Sequence, residues 1–268
     1  MKKRLGVVFI GIVVGLTGCG IGAAESTMTT GGGDRINEQR VQEEIKEAVP
    51  DTILWINATY GIITTVNGGD LEVVGGIDSN NVFDVASLKK GLESSWDITT
   101  KEDADQMITW LMEEGGHNQD LLEEYAYYGF DEYTRDELVE AISEEPKEDQ
   151  TYFLGLYDAV QDYGNQAIVA WDLSRALQLL SWYYVTDLYT YEEAMDKSLE
   201  VAKKLQATYT SWDDMMKSYF YGFQYWNEDD PEDSTSQSYT RRKIYETLKV
   251  QEGSPYALEW NTALVKEW

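Results

Sequence analysis

The chain has 268 residues, 43% of them hydrophobic and 13% aromatic, enough to bury a core and too many for a chain that is disordered by composition. Its 49 acidic residues outnumber 21 basic ones for a net charge of -28, a surface that repels phosphate backbones and anionic lipid headgroups. That balance argues against nucleic-acid binding, and the single cysteine, Cys19, and single histidine, His117, exclude an intrachain disulfide, a thiolate zinc site and a multi-histidine metal site.

The N-terminus reads as an export signal. Lys2, Lys3 and Arg4 precede an apolar stretch from Leu5 to Leu16, about a dozen residues, which suits a signal-peptide core and is too short to span a bilayer. It runs into Leu16-Thr17-Gly18-Cys19, which resembles the bacterial lipobox, where the leader is cut before the cysteine and the thiol is acylated. The organisation expected is a signal peptide over 1–18, a lipidated Cys19 with a flexible tether over 19–33, and a single helical domain over 34–268. Acyl chains contribute about 0.8 kcal/mol per buried CH₂, the membrane affinity that an acidic surface lacks. A tether from Gly20 to Gly33 has a reach of roughly 20 Å, so the domain stands just off the membrane, outside the cytoplasm.

Within the domain the pattern is helical, and a compact, mainly α fold is expected. A first helix is predicted near 35–48. The stretch from Ile53 to Val74 is rich in β-branched residues and contains Asn67-Gly68-Gly69-Asp70, so a small β-hairpin near 60–75 is one reading and a helix through Trp55 and Tyr60 the other. Helices follow near 84–94, after Thr99-Thr100-Lys101-Glu102, near 118–128, after Thr134-Arg135-Asp136-Glu137, and near 151–163. Two more start at Thr190-Tyr191-Glu192-Glu193 and Ser211-Trp212-Asp213-Asp214, and another spans 237–250, behind an acidic loop from Asn227 to Ser238. In the four tetrads a hydroxyl stands three residues before an acid, so the hydroxyl caps a free backbone N–H and the acid sits at the positive end of the helix dipole. Ser254-Pro255 is a further start signal.

The segment 166–184 differs from the rest. Val169, Ala170, Leu173, Ala176, Leu177, Leu180, Tyr183 and Tyr184 fill one wide apolar arc, while Trp171, Arg175, Gln178 and Trp182 line up opposite at i, i+4, i+7 and i+11. Large apolar residues on both sides mark a central helix between layers. Its polar groups then need partners, and Asp172 lies one turn from Arg175. The expectation is a mostly buried Arg175 paired with Asp172 or with an acid from a neighbouring helix and touching Trp171 or Trp182. The cluster Trp171, Asp172, Arg175 and Trp182 is the candidate structural or binding site.

Trp171-Asp172-Leu173-Ser174-Arg175-Ala176, Tyr191-Glu192-Glu193-Ala194, Ser211-Trp212, Ser218-Tyr219 and Gly222 to Trp226 resemble the bacterial family known as domain of unknown function 1266. Ser95-Trp96-Asp97-Ile98, Trp110-Leu111 and Gly116-His117 are similar to that family's upstream half. The resemblance covers roughly 88–227. It implies a helical domain, assigns no activity and supplies no catalytic residue.

No catalytic constellation stands out. Glu114 and His117 have ExxH spacing, but Gly115-Gly116 interrupts the helix, so His117 is expected to interact with a helix C-terminus rather than a metal. Forty-nine acids offer carboxylate pairs for glycoside hydrolysis without singling out two of them. The acids between Asn227 and Asp233 do not have the spacing of an EF-hand loop. No phosphate loop, GxSxG elbow or HExxH is present, and neither cofactor nor metal is expected. The pattern points to an anchored envelope domain that binds a protein, peptide or glycan without catalysis; the alternative is an envelope glycan hydrolase using two carboxylates.

Overall fold

A computed structural model describes residues 48–113 and 115–268. The leader, Cys19, the tether and, but for Ala48, the helix expected near 35–48 lie outside the described residues. Eleven α-helices and no strand are found among the described residues, so the fold is all-α. In chain order they are α1 (Asp51–Thr59), α2 (Gly61–Val66), α3 (Val82–Trp96), α4 (Lys101–Met112), α5 (Gly116–Tyr127), α6 (Arg135–Ala141), α7 (Lys147–Tyr163), α8 (Val169–Val185), α9 (Tyr191–Thr208), α10 (Trp212–Asn227) and α11 (Gln237–Val250).

The hairpin near 60–75 is not formed. Ile62 to Val66 belongs to α2, which follows α1 after a break at Tyr60. Weak β-propensity yields here to burial: Ile53, Ile56 and Ile62 are at most 2% exposed, and the propensity cost of a β-branched residue in a helix is a fraction of 1 kcal/mol, roughly. The Asn67-Gly68 signal is real but closes a helix instead of joining strands. Gly68 N–H donates to Thr65 O and Gly69 N–H to Thr64 O, with Gly68 at φ +70°, the double bond pattern of a Schellman ending. The chain then turns through a 3-10 segment, Val74–Gly76, that packs on α8.

Most start signals operate as predicted. Thr134, Thr190 and Ser211 accept from Glu137 N, Glu193 N and Asp214 N. The cap of α4 is Thr100 with Asp103, one residue later than the Thr99–Glu102 spacing suggests, because Asp103 Oδ2 takes both the Thr99 and Thr100 amides. Ser254-Pro255 opens only a 3-10 turn, Pro255–Ala257.

Helix α8 is central, with fourteen of its 17 residues buried against α1, α4, α5, α9 and α10. The approach of α10 is close enough to require glycine: a Cβ on Gly222 would stand 2.2 Å from Trp171 Cβ. A second knot of Trp55, Trp212 and Trp260, with ring centroids 4.9–5.0 Å apart, ties the C-terminal segment to α1 and α10. Trp55 Nε1 donates to Trp260 O, Trp212 Nε1 to Leu258 O and Trp260 Nε1 to Tyr209 O, so these indoles are satisfied structural residues.

Candidate functional site

Burying α8 leaves its mixed stripe facing the chain segments beside it. Two clusters form along that stripe, one at each end.

The first is a cavity of about 150 Å³ at the C-terminal end of α8, lined by Gln178, Trp182, Leu88, Asp84 and the loop from Asn67 to Asp78. Trp182 Nε1 donates to Gly75 O, and Gly75 N–H donates to the Tyr60 hydroxyl, which also meets Ser181 Oγ at 3.0 Å. These bonds hold the glycine turn as one wall. Gly75 has φ +72°, a conformation that glycine adopts freely. Asp70, Asp78 and Asp84 contribute carboxylates, each already accepting a local bond from Glu72 N, Asn80 N and Asn81 Nδ2 respectively. Gln178 is only 4% exposed, and among the described residues its amide has no hydrogen-bond partner.

The second cluster lies around Arg175, one turn earlier. Its guanidinium carbon stands 4.3 Å from the ring centre of Trp96, 4.5 Å from Trp171 and 5.4 Å from Trp226. The predicted contact with Trp171 is therefore present, while Trp182 belongs to the cavity. The predicted ion pair with Asp172 is not formed. Asp172 is 1% exposed and its oxygens are taken by α5: Oδ1 accepts from His117 N–H at 3.2 Å and meets His117 Nδ1 at 2.7 Å, and Oδ2 accepts from Asn118 N–H at 2.9 Å. The carboxylate thus caps the positive end of α5, whose own N-cap, Gly115, has no side chain to do so. His117 accordingly sits in the first turn of a helix, not at a C-terminus as expected. Its ring packs edge-on to Trp110, with centroids 4.8 Å apart.

Without Asp172, the guanidinium of Arg175 has no carboxylate partner among the described residues. Its Nε is sealed from solvent and unbonded, although the residue as a whole is only partly buried. Burial pushes its pKa down to about 10, so it remains charged at neutral pH. Arg241 of α11 joins the same aromatic floor: its guanidinium carbon is 4.2 Å from the ring centre of Phe223, and Nη1 donates to the Tyr219 hydroxyl at 3.4 Å.

Of the predicted cluster, then, Trp171 and Arg175 stand together, Asp172 turns toward α5, and Trp182 walls a separate cavity. Trp96, Trp226 and Arg241 come from α3, α10 and α11. Nothing in their spacing from α8 signals the meeting. Among the described residues no group of three or more His, Cys, Asp or Glu is placed to hold a metal, and no helix is long and apolar enough to cross a membrane.

A family model described as "Protein of unknown function (DUF1266)" matches residues 91–260, which takes in α4 to α11. No curated protein and no solved structure matches the chain.

Proposed function

The chain belongs to the DUF1266 family, and from that premise and the cavity beside Gln178 we propose a lipid-anchored binding domain of the cell envelope that takes the neutral, hydroxyl-rich end of a glycan. The observation that carries this reading is Gln178, a residue only 4% exposed whose amide lines the cavity and has no hydrogen-bond partner among the described residues. The amide opens into the cavity, where it can exchange hydrogen bonds with ligand hydroxyls, each contributing about 1 kcal/mol. Trp182 and Leu88 offer apolar surface to a ring face, and Asp70, Asp78 and Asp84 offer acceptors to hydroxyls while repelling acidic groups. A volume of about 150 Å³ is small beside whole-ligand pockets, which supports an end group rather than a long chain within the cavity. The lipobox register at Cys19 supports the anchor.

The test is retention on isolated envelope glycan. A Cys19→Ser chain should leave the membrane fraction and still bind, and adding Gln178→Leu should weaken binding by about tenfold without loss of helix signal. Undiminished binding by the Gln178→Leu protein would remove the cavity from the mechanism. The three carboxylates keep a glycan hydrolase as the second reading, which requires new reducing ends to accumulate on incubation.

A further inference from the structure

The four arginines among the described residues divide into two pairs. Arg135 makes a two-pronged bond to Asp158, at 2.7 and 3.0 Å, and Arg242 faces Glu232 at 3.6 Å. Arg175, ringed by three indoles, and Arg241, 9% exposed, meet no carboxylate among the described residues. This occurs in a chain with 49 acidic residues. A buried cation without a counter-charge is costly, and two that share a floor repel one another as well.

We propose that Arg175 and Arg241 form an anion site on the floor of Trp171, Tyr219 and Phe223, which receives the carboxylate or phosphate group of a ligand. Trp171 links the two cations: its ring lies 5.3 Å from that of Tyr219 and 5.6 Å from that of Phe223, the residues that Arg241 touches, while Arg175 lies over Trp171 itself. The indoles of Trp96, Trp171 and Trp226 surround Arg175 and satisfy none of its N–H groups by hydrogen bonding; its Nε is sealed, and the two terminal Nη groups are the donors that remain for an oxyanion. Asp172, the nearest acid along the helix, is committed to the first turn of α5 and leaves the site its positive charge. Arg241 is the like charge that adds to the fall in the Arg175 pKa, so each guanidinium lies within the other's field. Arginine suits the role because its planar fork matches two oxygens at once. The site is distinct from the Gln178 cavity, whose acidic rim disfavours anions.

The experiment is calorimetric titration of the full-length protein in neutral detergent with inorganic phosphate and, separately, sodium glucuronate, with sodium chloride of equal ionic strength as the control. At least one of the two probes should show a single saturable site, and the probe that binds identifies phosphate or carboxylate as the ligand group. Arg175→Met and Arg241→Met should each weaken it by about tenfold or more, and Gln178→Leu should leave it unchanged, which separates this site from the glycan reading. Circular dichroism checks the fold; if Arg175→Met loses its helix signal, Arg241→Met decides. Saturation no better than chloride for both probes, or wild-type affinity in a folded arginine variant, overturns the proposal.

Discussion

Residue Arg175 shows how spacing can name the right residue and the wrong partner. Asp172 lies at i, i+3, the correct offset for a contact on a helix surface, yet its oxygens point to the amides of His117 and Asn118. Helical spacing brings two Cβ atoms near each other, but a third element supplying buried N–H donors can claim the carboxylate first. The distinction has an energetic consequence. Had Arg175 neutralised a buried acid, removing it would strand that acid and cost about 3–5 kcal/mol. Since the acid is satisfied elsewhere, Arg175→Met should unfold within about 1 kcal/mol of the wild type, the lost cation–π contacts being offset by the relief of a desolvated charge. Urea denaturation measures this directly, and a loss of about 3 kcal/mol or more would restore the ion pair.

At the scale of elements, the sequence was most legible where a local signal and a core stripe agree. Thr134, Thr190 and Ser211 combine a cap with apolar residues at helical spacing, and α6, α9 and α10 begin where those signals say. It was least legible over 60–75, where β-branched composition and a glycine turn suit two structures and only burial decides between them. The start of α5 is a third case, because its cap comes from another helix and leaves no local signal. Gly115 and Gly116 adopt φ of +91° and +50°, and a Cβ on Gly116 would stand 2.8 Å from Asp172 Cγ, so the glycines let the carboxylate reach the helix end. Asp172→Ala should therefore cost about 2–4 kcal/mol, since it strands the buried Asn118 amide and removes a charge from the positive helix end. Hydrogen exchange should locate the loss in the first turn of α5. Uniform protection there in the variant would mean that Asp172 is not its cap.

Over the whole molecule, the helical class and the central position of α8 follow from patterns that repeat every three to four residues, whereas the site does not. Trp96, Trp226 and Arg241 reach Arg175 and its floor from helices far apart in the chain, and long-range pairing leaves no periodic trace in one sequence. The same crowding of distant aromatic side chains governs the response of the fold to pH. Burial pushes Tyr60 and Tyr209 up from 10.0 to about 12 and raises Tyr163, Tyr183, Tyr189 and Tyr245 as well. Several also bond to carboxylates, as Tyr189 does to Asp105 and Tyr245 to Asp213, and these bonds favour the protonated phenol further. Unfolded tyrosines release their protons near 10, while the folded ones hold theirs, so across this interval the native state binds more protons than the unfolded state. Stability is then intact below pH 10.0 and falls as pH rises toward about 12. Tyrosine absorbance followed together with circular dichroism should show the exposed phenols ionising first and the buried set ionising in one steep step with the loss of helix. Smooth ionisation of all 19 tyrosines around their ordinary value, with helix retained, would mean that this aromatic interior is open to water.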